Sequence, residues 1–141
     1  MDWFKLTAPC GMDCFNCQAY EKNISPEMQK MFAARLGKPE GEIGCKGCRQ
    51  EGTCLLLPSC ATLECVKSKN VDFCYQCDSF PCEKLAPCAQ GAEKYPHNFK
   101  LFNLCRIQKV GLQAWAENEA NEIRKKYYQG EFAIGTGPQL R

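Results

Sequence analysis

Histidine is almost missing from this chain: of 141 residues, one is a histidine, His97. Triads and dyads built on imidazole therefore have one candidate, and it stands between Pro96 and Asn98, where it reads as a loop residue. No nucleophile–base pair is recognisable. A phosphate loop is missing too, because Gly135-Thr136-Gly137 lacks a strand before it and a helix after it. No run approaches the roughly 20 apolar residues that a membrane span requires. The opening Met1–Pro9 carries Asp2 and no apolar stretch of signal-peptide length. Charge of one sign is scarce as well: 18 Lys+Arg stand against 16 Asp+Glu, a formal net charge of +2. These absences argue against histidine-based catalysis, a nucleotide loop, a membrane protein, a secreted precursor and a basic nucleic-acid binder.

What the chain has in excess is cysteine, 13 residues. Such density means either a disulfide-stapled secreted scaffold or metal sites. With no secretory signal expected, and an odd count that would leave one thiol unpaired, the cysteines read as reduced metal ligands in the cytoplasm. A four-thiolate zinc site contributes −2, so two filled sites carry the formal +2 to −2 and remove the mild basic balance. Nucleic acid and membrane are therefore not expected partners; an unidentified protein is.

Three Cys-x-x-Cys pairs stand out: Cys14/Cys17, Cys45/Cys48 and Cys74/Cys77. Two intervening residues allow a tight turn to aim both sulfurs at one ion, about 2.3 Å from a zinc. Gly47 suits such a knuckle, since the backbone there favours positive φ. Cys65, Cys74, Cys77 and Cys82 supply four ligands within a short segment. Cys10, Cys14 and Cys17 supply three more, and joining Cys14/Cys17 to Cys45/Cys48 gives a second set, with Cys10, Cys54 and Cys60 to finish or enlarge it. The Cys10-x3-Cys14-x2-Cys17 spacing also occurs in radical S-adenosylmethionine enzymes, but this chain is too short for their partial barrel. Zinc, at two or more ions, is the expected metal. An iron–sulfur cluster is the alternative, and no Cys-Pro ends a ferredoxin-type run. Cys88 is a spare ligand or a packing residue, and Cys105 a small core residue of an apolar helix. Beyond the three pairs, no internal repeat is evident.

The expected fold is a mainly α, small metal-stapled domain over 1–130, with a metal-rich part at 8–90, a helical part at 95–130 and a flexible tail at 131–141. Ser25-Pro26-Glu27 opens a helix that Gly37 ends. Residues 38–58 read as loop. Ser59 caps a short helix over 60–67, and Ser79-Phe80-Pro81 starts another to about Leu85, limited by Pro87. Asn98 caps a largely buried helix over 99–110. A second helix runs unbroken from Leu112 to about Tyr128, with Leu112, Trp115, Ala116, Ala120, Ile123 and Tyr127 as its apolar stripe. Asp13 and Asp78 read as caps or as hydrogen-bond acceptors behind the cysteine ligands, Lys46 and Arg49 as solvated or charge-screening, and Arg124-Lys125-Lys126 as a solvated helix end.

Ala8-Pro9-Cys10-Gly11-Met12-Asp13-Cys14-Phe15-Asn16-Cys17-Gln18-Ala19-Tyr20 resembles the start of a cysteine-rich prokaryotic family of unknown function. Cys45-Lys46-Gly47-Cys48-Arg49, Cys60-x4-Cys65, Cys74-x2-Cys77, Phe80-Pro81-Cys82-Glu83-Lys84-Leu85, and the stretch from Asn103-Leu104 to Gly111-Leu112-Gln113-Ala114-Trp115 carry the resemblance over roughly 8–120. It implies a metal-binding protein of bacteria or archaea with no assigned activity. Some relatives end with another cysteine pair after the last helix, where this chain has Tyr127-Tyr128-Gln129-Gly130, so no C-terminal site is expected. The leading expectation is a structural zinc or protein-interaction module without catalysis; the alternative is an iron–sulfur or thiol redox protein, or a metal carrier.

Overall fold

The structure, a computed structural model, describes residues 1–55, 57–85, 96 and 98–130. Its regular elements are helical: α1 (Pro26–Leu36), α2 (Cys48–Glu51), α3 (Ala61–Ser68), α4 (Asn98–Val110), α5 (Leu112–Asn118) and α6 (Ala120–Gln129), with single 3-10 turns before and between them. Among the described residues there is no strand, only two isolated bridges, Thr7 with Asp13 and Tyr20 with Cys45. The cysteine-rich front of short helices and turns packs against the three C-terminal helices.

The α1 termini follow from the sequence. Ser25 Oγ accepts the Met28 N–H at 3.3 Å, Pro26 occupies the first turn, and Gly37 at φ 63° closes the helix onto Ala33 O. Elsewhere the boundaries differ. The 38–58 loop contains a 3-10 turn at Glu40–Glu42 and one turn of α-helix, α2, bracketed by Gly47 and Gly52. Helix α3 takes Cys60, not Ser59, as its N-terminal boundary. Instead of a helix from Ser79, the chain carries a cis Phe80–Pro81 bond and a single 3-10 turn at Glu83–Leu85. His97, Pro87, Cys88 and the 131–141 tail lie outside the described residues.

The expected long helix from Leu112 is two. It breaks at Glu119, whose carboxylate receives both arms of Arg106 from α4 at 2.8 and 2.6 Å. The apolar stripe runs across that break, since Trp115, Ala116, Ala120 and Ile123 are all buried, so periodicity alone does not register it.

Helix α4 is the wall between two parts of the core. Phe99 and Ile107 pack with Trp115, Ala116, Ala120 and Ile123 and with Leu6, Phe15 and Tyr20 of the front. Leu104 faces the other way, into Leu63, Val66, Phe73, Cys74 and Leu85. A third, smaller cluster joins Phe32 and Ala33 of α1 to Ile43. The helix is not buried all round. Phe99, Asn103 and Ile107 stand four residues apart on the inner face, and Cys105, two positions from Asn103, is thrown to solvent. Cys105 is therefore a surface thiol, not a core residue.

Candidate metal centres

Two short stretches of chain fold in the same way. Cys14-Phe15-Asn16-Cys17-Gln18-Ala19-Tyr20 and Cys74-Tyr75-Gln76-Cys77-Asp78-Ser79-Phe80 align as cysteine, aromatic, amide, cysteine, polar, small, aromatic. Each forms a 3-10 turn from its first cysteine. In the first, Asn16 N–H donates to Asp13 O, Cys17 to Cys14 O and Tyr20 to Cys17 O. In the second, Gln76 donates to Phe73 O, Cys77 to Cys74 O and Phe80 to Cys77 O. This is an internal repeat, contrary to the reading of the sequence. It was missed because the repeat is short and spelled in residue classes, not identities.

The turns also treat their sulfurs alike. The Ser79 N–H points at Cys77 Sγ, 3.4 Å away, and the Ala19 N–H at the Cys17 sulfur. Gly47 N–H donates to Cys45 Sγ at 3.4 Å, and Met12 N–H is directed at Cys10. Cys45 and Cys77 thus each accept a hydrogen bond from the amide two residues downstream, and the amides of Met12 and Ala19 favour the charged forms of Cys10 and Cys17. Such a donor favours the charged thiolate over the thiol.

Around the first turn, the Tyr20–Cys45 bridge brings the second Cys-x-x-Cys pair alongside. Cys45 N–H donates to Ala19 O at 2.8 Å and Glu21 N–H to Cys45 O at 2.9 Å. Gly47, at φ 100°, passes so close to Lys5 O that a Cβ would lie 3.2 Å from it and 3.9 Å from the Cys14 Cβ. The result sets Cys48 in hydrogen-bonding contact with Cys14, which, with burial, pushes the Cys14 thiol far up. Burial raises Cys45 to about 11 against the pull of the Gly47 amide, and raises Cys17 in spite of the Ala19 N–H and the nearby Arg124 charge. Cys14 and Cys45 are buried, Cys17 and Cys48 half-buried.

Beneath this group lies Asp13, fully buried. Burial raises its carboxyl, while Arg124 from α6 opposes that with Nε 2.8 Å from Oδ2 and Nη2 against Oδ1; Asn16 Nδ2 adds a bond of 3.1 Å. Asp13 is thus the buried end of an ion pair, not a helix cap. Arg124, read from the sequence as solvated, is its partner. Asp78 is exposed.

The second turn joins α3 and the Phe-Pro-Cys stretch around a cavity of about 190 Å³, whose lining includes Cys65, Cys74, Cys77, Cys82 and Lys69. The four cysteines grouped by their spacing in the sequence thus line one cavity. Cys74 is buried and raised to about 12 by burial and by Cys10, Cys82, Cys65 and Cys77. Cys77 runs the other way: the Ser79 N–H and the Lys69 ammonium, 3.1 Å from its sulfur, lower it.

Of the remaining candidates, Cys10 and Cys60 lie near one another between the two groups, and Cys10 also feels Cys14 and Lys100. Cys54 is exposed, one residue before the Leu55 amide that approaches Cys45. Among the described residues, no three His, Cys, Asp or Glu side chains converge as a ready ligand set for a metal ion. The cysteines are assembled in neighbourhoods without their sulfurs meeting at a point.

Arg49 ties the neighbourhoods together. It follows Cys48, donates to Thr7 O and Asp72 O at 2.7 Å each, and lies between the rings of Phe4 and Phe73, 4.2 and 4.8 Å from their centres. It is half-buried, and its hydrogen bonds go to backbone carbonyls.

Residues 6–87, more than half of the chain, match the family described as "Protein of unknown function (DUF3795)". The chain belongs to this family. The match spans both turns and all eight cysteines of the two groups, and it ends before α4. The match agrees with the expectation of an uncharacterised family, and the extension of the resemblance to about residue 120 lies beyond it. No curated protein and no solved structure matches the chain. No helix among the described residues is long and apolar enough to cross a membrane.

Proposed function

We propose that this DUF3795 member is a zinc-binding protein that holds at least two ions, one at Cys14/Cys17/Cys45/Cys48 and one at Cys65/Cys74/Cys77/Cys82, and serves as a structural or protein-interaction module of the cytoplasm. The observation that carries the reading is the backbone itself: the Gly47 and Ser79 amides donate to the sulfurs of Cys45 and Cys77, each from two residues downstream, at 3.4 Å. A neutral thiol is a weak acceptor and gains little from such a donor, whereas a ligating thiolate is stabilised by it.

The raised thiols support the same reading. Cys14 resists ionisation chiefly through its contact with Cys48 and then through burial, and Cys45 and Cys74 chiefly through burial, with other thiols beside them adding to the resistance. A dication among them reverses the sign of that penalty. The binding energy of structural zinc is on the order of 10 kcal/mol and is also folding energy, which suits a front part with few large buried side chains.

Purification without oxygen, followed by elemental analysis and an absorption spectrum, tests the proposal. At least two zinc ions per chain and no band at about 400 nm are expected. Iron with matching sulfide and a visible band would instead establish the iron–sulfur reading, and metal-free protein with several native disulfides would end both.

A further inference from the structure

We infer that Cys14 and Cys48 are a site of reversible oxidation: a hydroperoxide joins these two sulfurs in preference to linking either one to the other cysteine of its own Cys-x-x-Cys pair. The inference goes beyond the zinc reading and does not rest on it, because the bond joins two side chains of the chain itself.

Both flanks of Cys48 are tied to the chain around Cys14. On one side, a Cβ on Gly47 would lie 3.2 Å from Lys5 O, 3.6 Å from Leu6 Cδ2 and 3.9 Å from Cys14 Cβ. On the other, Arg49 Nε donates to Thr7 O at 2.7 Å, and Thr7 is bridged to Asp13, the residue before Cys14. Cys48 stands between these two fixed points and reaches the Cys14 sulfur with its thiol and its backbone amide together. A disulfide forms without backbone travel only where two sulfurs already meet, and these two do.

The other members of the two motifs are engaged elsewhere. The Cys45 sulfur accepts Gly47 N–H at 3.4 Å. Cys17 lies toward the Ala19 amide and the Arg124 charge, and its own N–H is spent on Cys14 O at 3.0 Å. A Cys14–Cys48 bond closes a loop that contains α1 and fastens the first turn to α2, two pieces that the Tyr20–Cys45 bridge already sets side by side. Oxidation thereby withdraws two of the four thiols of this group and leaves its backbone where it stands.

Cys48 is half-buried and Cys14 buried, so Cys48 is the sulfur that a small hydroperoxide reaches first. The Cys48 sulfur gives up its proton and attacks the near peroxide oxygen. An S–O bond forms, the O–O bond breaks, and the far oxygen leaves with the electron pair and that proton, as water when the oxidant is hydrogen peroxide. The Cys14 sulfur then attacks the Cys48 sulfur. The S–S bond forms, the S–O bond breaks, and the hydroxide takes the Cys14 proton and leaves as a second water. Two thiols lose two electrons and two protons, and the peroxide accepts both. A dithiol reductant reverses the bond by exchange and is itself oxidised to a disulfide.

Full-length protein purified without oxygen is held with a chelator, treated with a stoichiometric amount of hydrogen peroxide, blocked with iodoacetamide and mapped by mass spectrometry without reduction. The same treatment is repeated in concentrated urea. In native buffer, a Cys14–Cys48 peptide is expected as the main cross-link, several-fold above any other, and dithiothreitol should return both thiols. In urea that preference should vanish, because separation along the chain then governs which sulfurs meet. A main link of Cys14–Cys17 or Cys45–Cys48, a main link among Cys65, Cys74, Cys77 and Cys82, no cross-link, or one distribution in both solvents overturns the inference. The zinc content of protein kept from chelator and oxidant decides the metal reading separately, so either can fail while the other stands.

Discussion

Arg124 in the last helix holds Asp13, 111 residues earlier, in an ion pair whose carboxylate has no exposed surface. The pair fastens the floor of the first cysteine turn to α6. Breaking it from the cationic side strands a buried charge, so Arg124→Ala should cost about 3–5 kcal/mol in denaturant unfolding, whereas Asp13→Asn with Arg124→Met should recover much of that loss. A cost for Arg124→Ala no larger than that of an exposed surface charge would mean that water reaches Asp13.

The two kinds of cysteine separate cleanly by substitution. Cys77→Ser removes a proposed ligand and should lose about one zinc per chain together with a lower Tm. Cys105→Ala alters an exposed thiol and should keep full metal, with stability within about 0.5 kcal/mol. Elemental analysis beside thermal melts reads both, and equal metal content in the two variants would remove Cys77 from the ligand set.

Gly11 marks where the first turn meets α4. Its φ is 86°, and a Cβ there would lie 2.6 Å from Lys100 O and 2.9 Å from Leu104 Cγ, with the rigid helix backbone as the obstacle. Asn103, buried, donates to Gly11 O at 2.8 Å and accepts from Trp115 Nε1 at 3.3 Å, which keeps the contact tight. Gly11→Ala should therefore destabilise by about 2–4 kcal/mol, from left-handed backbone and overpacking together. Urea titration is the check, and a near-neutral result would show that α4 moves away at no cost.

The response to pH should reverse with metal. In zinc-free protein, Cys45 and Cys74 titrate at about 11 and about 12, above the ordinary thiol value of 9.0, chiefly because they are buried. A raised value means that the folded form holds the proton more tightly. The associated stability is complete below pH 9.0 and is lost as pH rises through about 11 to 12. Zinc-loaded protein should lose stability in the opposite direction, as pH falls and protons compete for the thiolates. Melting curves across pH with and without chelator test this, and a common sign for both forms would mean that no thiolate–metal bond contributes.

Local chemistry was legible in the sequence. Ser25, Pro26 and Gly37 mark α1, and the spacing of Cys65, Cys74, Cys77 and Cys82 foretells their common cavity, because short spacing limits how far the sulfurs can separate. What depends on partners distant in the chain was not. The Asp13–Arg124 pair, the Arg49 clamp and the Glu119 break each involve a charged side chain whose exposed or buried fate is decided by an element far away. Cys105 shows the same limit: its apolar neighbours suggested burial, but α4 has two inner faces and it lies on neither.

The repeated turn has a consequence for how the chain is made. As the polypeptide leaves the ribosome, the second copy emerges with its companions already flanking it, Cys65 before and Cys82 after, so its loop closes over a short span at small entropic cost. The first copy emerges earlier but waits, first for Cys45 and Cys48 and finally for α6, since Asp13 has no counter-charge until residue 124 has been synthesised. The copy translated first is therefore the one completed last, and a nascent chain halted before α6 would expose a half-built cysteine turn to whatever metal or oxidant it meets.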